Sequence, residues 1–290
     1  MDARADDRIN ITAWCGVLHI ERDDMTFFKD LTKTKTLKLG TYIGEFATPG
    51  IGQILKATGT EFAFVDMEHS GFSFETIKSV LRNLHDAGIA TLLRPPSKAM
   101  HHMNRACDVG AQGLIAPMLG NVAEAQAGID AINYPPAGRR GCALGIAHND
   151  YQPGDVVETM EAANAKTSFV ALIETAEGIE NVDAIAALHG VDGLWIGHLD
   201  LSASLGIPGQ FDHPLFIDAV AAVMAAGAAH GKSVGRLVGS VEEAEAGFAQ
   251  GCDFICYLGD IWLLQKALND GYRDLRTKIP AHAIAGRGRT

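Results

Sequence analysis

The sequence predicts an α/β fold, a (β/α)8 TIM barrel, on three observations. Eight short apolar runs alternate with helix-length segments, at residues 37–43, 61–66, 89–94, 113–117, 168–174, 191–196, 232–237 and 253–258. Several runs, such as 62–65 and 169–173, are apolar at every position, as strands covered on both faces of a parallel sheet are. The main alternative, a doubly wound open sheet, favours a G-x-G-x-x-G loop after its first strand, and none stands there.

The segments between the runs carry helix start and stop signals. Ser73 can cap a helix over residues 74–87, and Gly88 can end it. Ser240 and Glu243 have the spacing of a capping box at the start of the segment 241–250. The remaining helical segments cover residues 121–132, 178–188 and 214–230.

Three parts make up the predicted chain. Residues 1–35 form an N-terminal extension with a short lead-in helix, 36–280 form the catalytic barrel, and 281–290 form a flexible tail. Met25 is an alternative start, which would leave 1–24 as an extension.

Charge and cysteine content limit the classes of partner and compartment. Lys and Arg number 24 against 35 Asp and Glu, a net charge of −11, which argues against nucleic acid and acidic membrane surfaces. The longest apolar run, 219–229, is too short to span a bilayer, and the acidic start does not fit a signal peptide. Five cysteines without a C-x-x-C pattern indicate a reducing compartment, so we expect a cytoplasmic protein.

Polar residues follow several of the predicted strands, where a (β/α)8 barrel places its site. Asp66-Met67-Glu68-His69 ends the second run, Arg94 the third, Glu174 the fifth, and Gly197-His198-Leu199-Asp200 follows the sixth. An imidazole, a guanidinium and carboxylates therefore converge on one rim.

Glu174 and Asp200 follow neighbouring strands and suit a divalent cation. Two carboxylates that leave coordination positions for water and substrate fit Mg²⁺ or Mn²⁺. The alternative is that each carboxylate caps the helix after it. No Cys and His spacing indicates structural zinc.

Arg94 and His69 each allow two interpretations. Arg94 can bind a carboxylate or an enolate oxygen, or it can form a structural ion pair with Asp66 or Glu68. His69 can act as a general base or as a passive hydrogen-bonding residue. The Pro- and Gly-rich stretch 134–151 is interpreted as a binding loop.

Five motifs in order resemble the HpcH/HpaI family of metal-dependent, class II hydroxy-oxo-acid aldolases. They are Asp66-Met67-Glu68-His69, the Arg94 strand end, Y-P-P-x-G-x-R-G from Tyr134, I-E-T-x-E-G from Ile173, and G-x-x-I-G-x-x-D-L-S-x-x-L-G from Gly193. The likeness spans residues 36–268, nearly the whole barrel.

The resemblance implies a carbon–carbon lyase that cleaves a 4-hydroxy-2-oxo acid to pyruvate, or a close 2-oxo acid, and an aldehyde through an enolate that a metal stabilises. Glu174 and Asp200 would bind Mg²⁺ or Mn²⁺, with Co²⁺ as a further candidate. Arg94 would hold a substrate oxygen and offset the charge of the enolate.

The resemblance also implies roles near the metal. Amides near Gly197, Leu199 and Asp200 would bind the substrate carboxylate. His69 would orient the water that moves the proton. Asp108 matches the acid that pairs with this histidine, either within one chain or across a subunit boundary. The family implies a homo-oligomer, a hexamer with exchanged C-terminal helices.

Three departures from the family pattern bear on the substrate. Met67 stands where Gly is common, Leu172 where many members carry a Gln that touches the oxo acid, and His198 where Pro is usual, so that His198 can contact substrate. They leave open a citrate-lyase-like or malyl-thioester-like lyase and a 2-oxo acid decarboxylase at the same metal site. A non-catalytic barrel is the remaining alternative.

Overall fold

The fold is a closed barrel of eight parallel strands in the order β1 to β8, as the sequence predicts. A computed structural model describes residues 26–279. The strands are β1 Lys38–Ile43, β2 Phe62–Asp66, β3 Ala90–Arg94, β4 Gly113–Ala116, β5 Ser168–Ile173, β6 Gly193–Ile196, β7 Ser233–Val238 and β8 Phe254–Gly259.

Helices surround the barrel and connect its strands. They are α1 Phe28–Leu31, α2 Ile51–Lys56, α3 Phe74–Asp86, α4 Met100–Asp108, α5 Val122–Ile132, α6 Val156–Lys166, α7 Ala176–Glu180, α8 Val182–Ala186, α9 His198–Ser204, α10 Pro214–Ala229, α11 Val241–Gln250 and α12 Asp260–Lys278. None of the described helices is both long enough and apolar enough to cross a bilayer.

Two apolar layers hold the barrel together. Strand residues that face outwards pack against the helices, while a second cluster fills the interior and includes Phe62, Trp195 and Phe254. Helix α1 closes the N-terminal end, where the Phe28 ring lies 4.9 Å from that of Phe254. The interior is therefore a packed core, and the opposite end of the barrel remains for a site.

Each predicted strand overlaps an observed one, and two helical details differ. The predicted helix 178–188 is two helices, because α7 ends at Glu180 and Asn181 separates it from α8. The Asn181 side-chain amide donates to the carbonyl oxygens of Gly120 and Glu177 at 3.0 and 2.9 Å. The capping box of α11 is shifted, since Glu243 accepts from the amide of Gly239 at 2.8 Å.

The expectations for the chain ends lie largely outside the described residues. Residues 1–25 and 280–290 contain most of the predicted extension, the start of the lead-in helix, the tail and Cys15, whereas α1 lies within the predicted lead-in helix. The four described cysteines are free thiols: Cys107, Cys142, Cys252 and Cys256.

A buried ion pair ties three strands together at the N-terminal end of the barrel. The Lys38 ammonium lies 3.2 Å from Asp253 Oδ2, and both side chains are buried. The same carboxylate accepts from Ser233 Oγ and from the Val234 amide, both at 2.8 Å. Asp253 thus links the beginnings of β1, β7 and β8.

Asp253→Ala should lower the free energy of unfolding by about 3–5 kcal/mol, because it leaves the Lys38 charge buried and unpaired. Urea unfolding at neutral pH measures the loss. Asp270→Ala is the control: it breaks an exposed pair with Lys266 and should leave the midpoint nearly unchanged. Equal effects of the two substitutions would contradict the role of Asp253.

Candidate active site

A carboxylate–guanidinium clamp lies at the C-terminal end of β2 and β3. The register of the two strands places Asp66 beside Arg94. Arg94 Nε donates to Asp66 Oδ1 and Nη2 donates to Oδ2, both at 2.8 Å. This bidentate geometry fixes both the position and the plane of the guanidinium.

Asp66 also organises the chain around it. Its carboxylate accepts from the Tyr42 hydroxyl at 2.8 Å and from the amides of Glu68 and His69 at 3.0 and 3.3 Å. Burial alone would raise the pKa of Asp66, but the hydrogen bonds and charge of Arg94 outweigh it and hold the pKa below its usual range. Asp66 is therefore an anion that positions its neighbours.

Arg94 also contacts a second carboxylate. Its Nη1 lies 3.1 Å from Glu68 Oε2, and the guanidinium stands 5.5 Å from the Phe64 ring centroid. The structural ion pair considered from the sequence is thus present, with both Asp66 and Glu68. Eleven per cent of the Arg94 side chain is still exposed, so it can also meet a ligand.

Glu174 directly follows β5 and is almost completely buried, with 2% of the residue exposed. Its Oε1 accepts from the Met118 amide at 2.7 Å. Burial, helped by the charges of Asp200 and Glu68, raises the pKa of Glu174 to about 7, although the Met118 amide and Arg94 act to lower it. A buried carboxylate in this state needs a positive partner to remain charged.

Gly197 makes room for the Glu174 carboxylate. A Cβ atom at residue 197 would lie 2.5 Å from Glu174 Oε2. The Gly197 amide donates to the carbonyl oxygen of Ile173 at 3.2 Å, so it belongs to the sheet. Leu201 donates the first backbone hydrogen bond of α9, to Gly197. Of the three amides expected to bind the substrate carboxylate, those of Leu199 and Asp200 therefore remain available.

Asp200 lies in the first turn of α9, after the end of β6. It is exposed and forms no hydrogen bond or ion pair among residues 26–279. No side chain caps α9, and Thr175 rather than Glu174 caps α7. The capping roles considered for Glu174 and Asp200 are therefore absent, and both carboxylates are available to a ligand.

His69 and Asp108 have different partners within one chain. The His69 side chain is 62% exposed, and its Nε2 lies 3.8 Å from Glu68 Oε2. Asp108, at the end of α4, accepts from Arg140 Nη2 at 2.8 Å. No hydrogen bond or ion pair joins His69 to Asp108 in the described chain.

His198 begins α9 and packs on Phe211, with ring centroids 5.4 Å apart. Burial lowers its pKa, and the positive charge of Arg236 lowers it further, against Glu243 and Asp200. His198 thus lies directly after Gly197 at the C-terminal end of β6, within range of the charges of Arg236 and Asp200.

The loop after α5 contacts the outer helices. Tyr134 exchanges hydrogen bonds with Asn164 of α6, Arg140 binds Asp108 of α4, and Asp150 pairs with Arg82 of α3. These contacts place residues 134–151 on the flank of the barrel, so its interpretation as a binding loop stays a prediction.

Three groups of the site were not identified from the sequence. The sequence indicates Glu68 only as an ion-pair partner and Tyr42 only as part of a strand. Met118 contributes its backbone amide to Glu174. The alternation of β1 could have placed Tyr42 inside the barrel. No sequence signal marks Met118, which has a φ of 54° despite its side chain.

The donor set fits one divalent cation. The carboxylates of Asp66, Glu68 and Glu174 lie around a single guanidinium, that of Arg94, and Asp200 lies close enough to Glu68 and Glu174 to raise the pKa of both. No group of three or more His, Cys, Asp or Glu side chains within residues 26–279 has the arrangement of a metal site. An ion here would take Glu174 and Asp200 as ligands and complete its shell with water and substrate oxygens.

Comparisons with known proteins agree on one family. The family model for HpcH/HpaI aldolase/citrate lyase matches residues 45–260. The chain is 28% identical over 240 residues to a 5-keto-4-deoxy-D-glucarate aldolase of Shigella dysenteriae, covering 83% of this chain and 93% of that protein. It is 29% identical to a hydroxypyruvate/pyruvate aldolase of Pseudomonas aeruginosa, covering 84% and 90% of the two chains.

A solved structure has the same architecture. An HpcH/HpaI aldolase from Desulfitobacterium hafniense superposes with a TM-score of 0.82 at 26% identity, covering 88% of this chain and 98% of that one.

Asp66→Asn should lower the free energy of unfolding by roughly 1.5–3 kcal/mol at pH 7, because it weakens the hydrogen bonds to a buried guanidinium. The pKa of Asp66 lies below its ordinary value of 3.8. Its stabilisation is therefore complete above that value and is lost as the pH falls through the lowered pKa.

Urea unfolding at several pH values measures this difference. The difference in the free energy of unfolding between wild type and Asp66→Asn should be largest near neutral pH and should become smaller in acid. Asp274→Asn, at an exposed position, is the control. A gap that is independent of pH would contradict a charged Asp66.

Proposed function

Because the chain belongs to the HpcH/HpaI aldolase/citrate lyase family and is a carbon–carbon lyase, we propose that it cleaves a 4-hydroxy-2-oxo acid. The products are pyruvate, or a close 2-oxo acid, and an aldehyde. The observation that carries this proposal is the buried Glu174 carboxylate beside the unpaired Asp200, with the clamped Arg94 facing them. The free thiols of the four described cysteines support a cytoplasmic location.

The bond changes define what the site must do. The substrate hydroxyl at C4 loses its proton, the C3–C4 bond breaks to give the aldehyde, and the bonding electrons form an enolate over C3, C2 and the ketone oxygen. Protonation at C3 then gives pyruvate. The site must hold the oxo acid, offset negative charge and move one proton.

Glu174 and Asp200 would hold a divalent cation, Mg²⁺, Mn²⁺ or Co²⁺. When bound, such an ion supplies Lewis-acid polarisation of the 2-oxo acid. The chain prepares its ligands: the Met118 amide fixes Glu174 Oε1, and Gly197 leaves space for Oε2.

Arg94 would bind a substrate oxygen and offset the charge of the enolate. The contacts with Asp66 and Glu68 hold its guanidinium in place before substrate arrives, so little ordering is needed during the reaction. The amides of Leu199 and Asp200 would receive the substrate carboxylate at the start of α9. His198, beside them, would contact the substrate.

A second copy of the chain would complete the proton-transfer site. His69 is exposed, and Asp108 lies on the barrel flank, where Arg140 orients it. Helix α12 carries an exposed apolar face, whose members are Leu264, Leu268, Tyr272 and Leu275. We propose a homo-oligomer, a hexamer by family resemblance, in which this face packs on a neighbour and Asp108 of one subunit pairs with His69 of the next.

Removal of the divalent cation should abolish pyruvate release from 4-hydroxy-2-oxo acids, and Mg²⁺ or Mn²⁺ should restore it. Glu174→Gln and Asp200→Asn should each lower turnover at least about a hundredfold, because each removes a charged ligand. A coupled reductase assay measures pyruvate, and calorimetric titration measures the binding of the ion.

Glu180→Gln, at an exposed position of α7, is the matched control and should behave as wild type. Full activity of the two site variants would refute the ligand assignment. Cleavage of citryl or malyl thioesters without cleavage of hydroxy-oxo acids would replace the proposed reaction.

His69→Ala and Asp108→Ala should each lower turnover about a hundredfold while the ion still binds, because proton transfer is lost. If the pair forms between subunits, co-expression of the two variants should restore about a quarter of the sites by random assembly. Activity and light scattering of the co-purified oligomer are the measurements. A monomer, or no recovery in mixed oligomers, would contradict pairing between subunits.

A further inference from the structure

An aromatic wall stands at the barrel mouth where β8 passes into α12. The register between β1 and β8 shifts so that Gly259 lies opposite Tyr42, and Leu258 takes a positive φ of 50°. Bulges of this kind redirect the chain that follows them. Here the chain turns into α12 and brings Trp262 over the Tyr42 ring, with ring centroids 5.3 Å apart.

Gly259 is necessary for this contact. A Cβ atom there would lie 2.7 Å from the Tyr42 ring and 2.9 Å from the Trp262 ring. The absence of a side chain lets the two aromatic rings lie together at the mouth.

Asp260 fixes the junction. Its carboxylate accepts hydrogen bonds from the amides of Gly44, Glu45 and Phe46, the shortest at 2.7 Å, and from the amide of Ile261 at 2.9 Å. The loop after β1 and the start of α12 are thereby held together. Trp262 is nevertheless 41% exposed. A large aromatic surface that is rigidly held and left open favours binding.

The wall adjoins the charged clamp. The Tyr42 ring packs against that of Trp262, and the Tyr42 hydroxyl donates a hydrogen bond to Asp66. Asp66 in turn binds Arg94. Contacts through Tyr42 and Asp66 thus connect the Trp262 ring to the Arg94 guanidinium.

The aromatic wall has no permanent cation of its own for an acidic aldehyde. Among the last residues of the eight described strands and the residues directly after them, Arg94 is the one Lys or Arg. Asp66 and Glu68 already engage its guanidinium. Lys98 pairs with Glu124 on the β3 side of the mouth, and Arg236 lies on the β7 side near His198. At the ends of β1 and β8, where Trp262 lies, the described residues include no Lys or Arg for a carboxylate on the aldehyde end, whereas an apolar group would find the Trp262 ring.

We propose that Trp262 is a specificity-determining residue that binds the non-reacting end of the aldehyde, and that this end is apolar, either aromatic or aliphatic. The inference rests on the proposed lyase function and names the substrate class of the same site. Hydroxylated and carboxylated aldehydes are correspondingly poor partners.

The test is aldol addition of pyruvate to four aldehydes by the purified enzyme with Mg²⁺ or Mn²⁺. Wild type should have a higher kcat/KM for benzaldehyde and hexanal than for glyoxylate and glyceraldehyde. Trp262→Ala should raise KM for the two apolar aldehydes by roughly five- to tenfold and lower the apolar-to-polar ratio accordingly, because it removes the ring contact. Trp262→Phe should recover most of that ratio.

Phe248→Ala, which removes an exposed aromatic ring on α11, is the matched control and should keep the wild-type ratio. A wild-type preference for glyoxylate or glyceraldehyde would overturn the inference, and so would an unchanged ratio in Trp262→Ala. Dissociation of the oligomer by Trp262→Ala, with the ratio unchanged in the dissociated protein, would assign Trp262 to an interface and also overturn it.

Exchange of the pyruvate methyl hydrogens in D2O, followed by NMR, distinguishes failure of the role of Trp262 from failure of the proposed lyase function. This exchange reports enolate formation without any aldehyde. Exchange together with the wrong aldehyde preference overturns the role of Trp262 alone. Absence of both exchange and addition overturns the proposed function and the inference together.

Discussion

The bidentate pair between Asp66 and Arg94 is the interaction on which the rest of the site depends. It links the ends of two neighbouring strands and fixes the plane of a guanidinium that would otherwise be free to move. Because Asp66 also binds Tyr42 and the backbone after β2, the same carboxylate connects the charged part of the mouth to its aromatic wall. A change at Asp66 would reach both.

The second constraint is an excess of negative charge. Burial and neighbouring carboxylates raise the pKa of Glu174 to about 7, and Arg94 is already shared between two acids. A cation at Glu174 and Asp200 would relieve this repulsion. Stability and function oppose each other here, because the groups that would bind an ion repel one another without it.

Buried charges are compensated differently at the two ends of the barrel. At the N-terminal end, Lys38 and Asp253 pair directly and Ser233 satisfies the same carboxylate, so nothing is left to bind a ligand. At the C-terminal end, Asp200 has no partner in the described chain and Glu174 keeps one oxygen free of hydrogen bonds. The C-terminal end therefore keeps carboxylates that a ligand can reach, in agreement with where (β/α)8 barrels place their sites.

The sequence by itself determined the barrel, since eight apolar runs overlap eight strands, and it determined which residues end those strands, including Arg94 and Glu174. Only the tertiary structure decided how those residues use their charges. It pairs Arg94 with both Asp66 and Glu68, and it engages the Gly197 amide in a hydrogen bond with β5. It also gives Asp108 and His69 different partners within one chain and places the Trp262 ring over that of Tyr42. Periodicity reports which face a side chain takes, because that depends on local backbone geometry. Partner choice depends on contacts between residues distant in the chain, which local patterns do not encode.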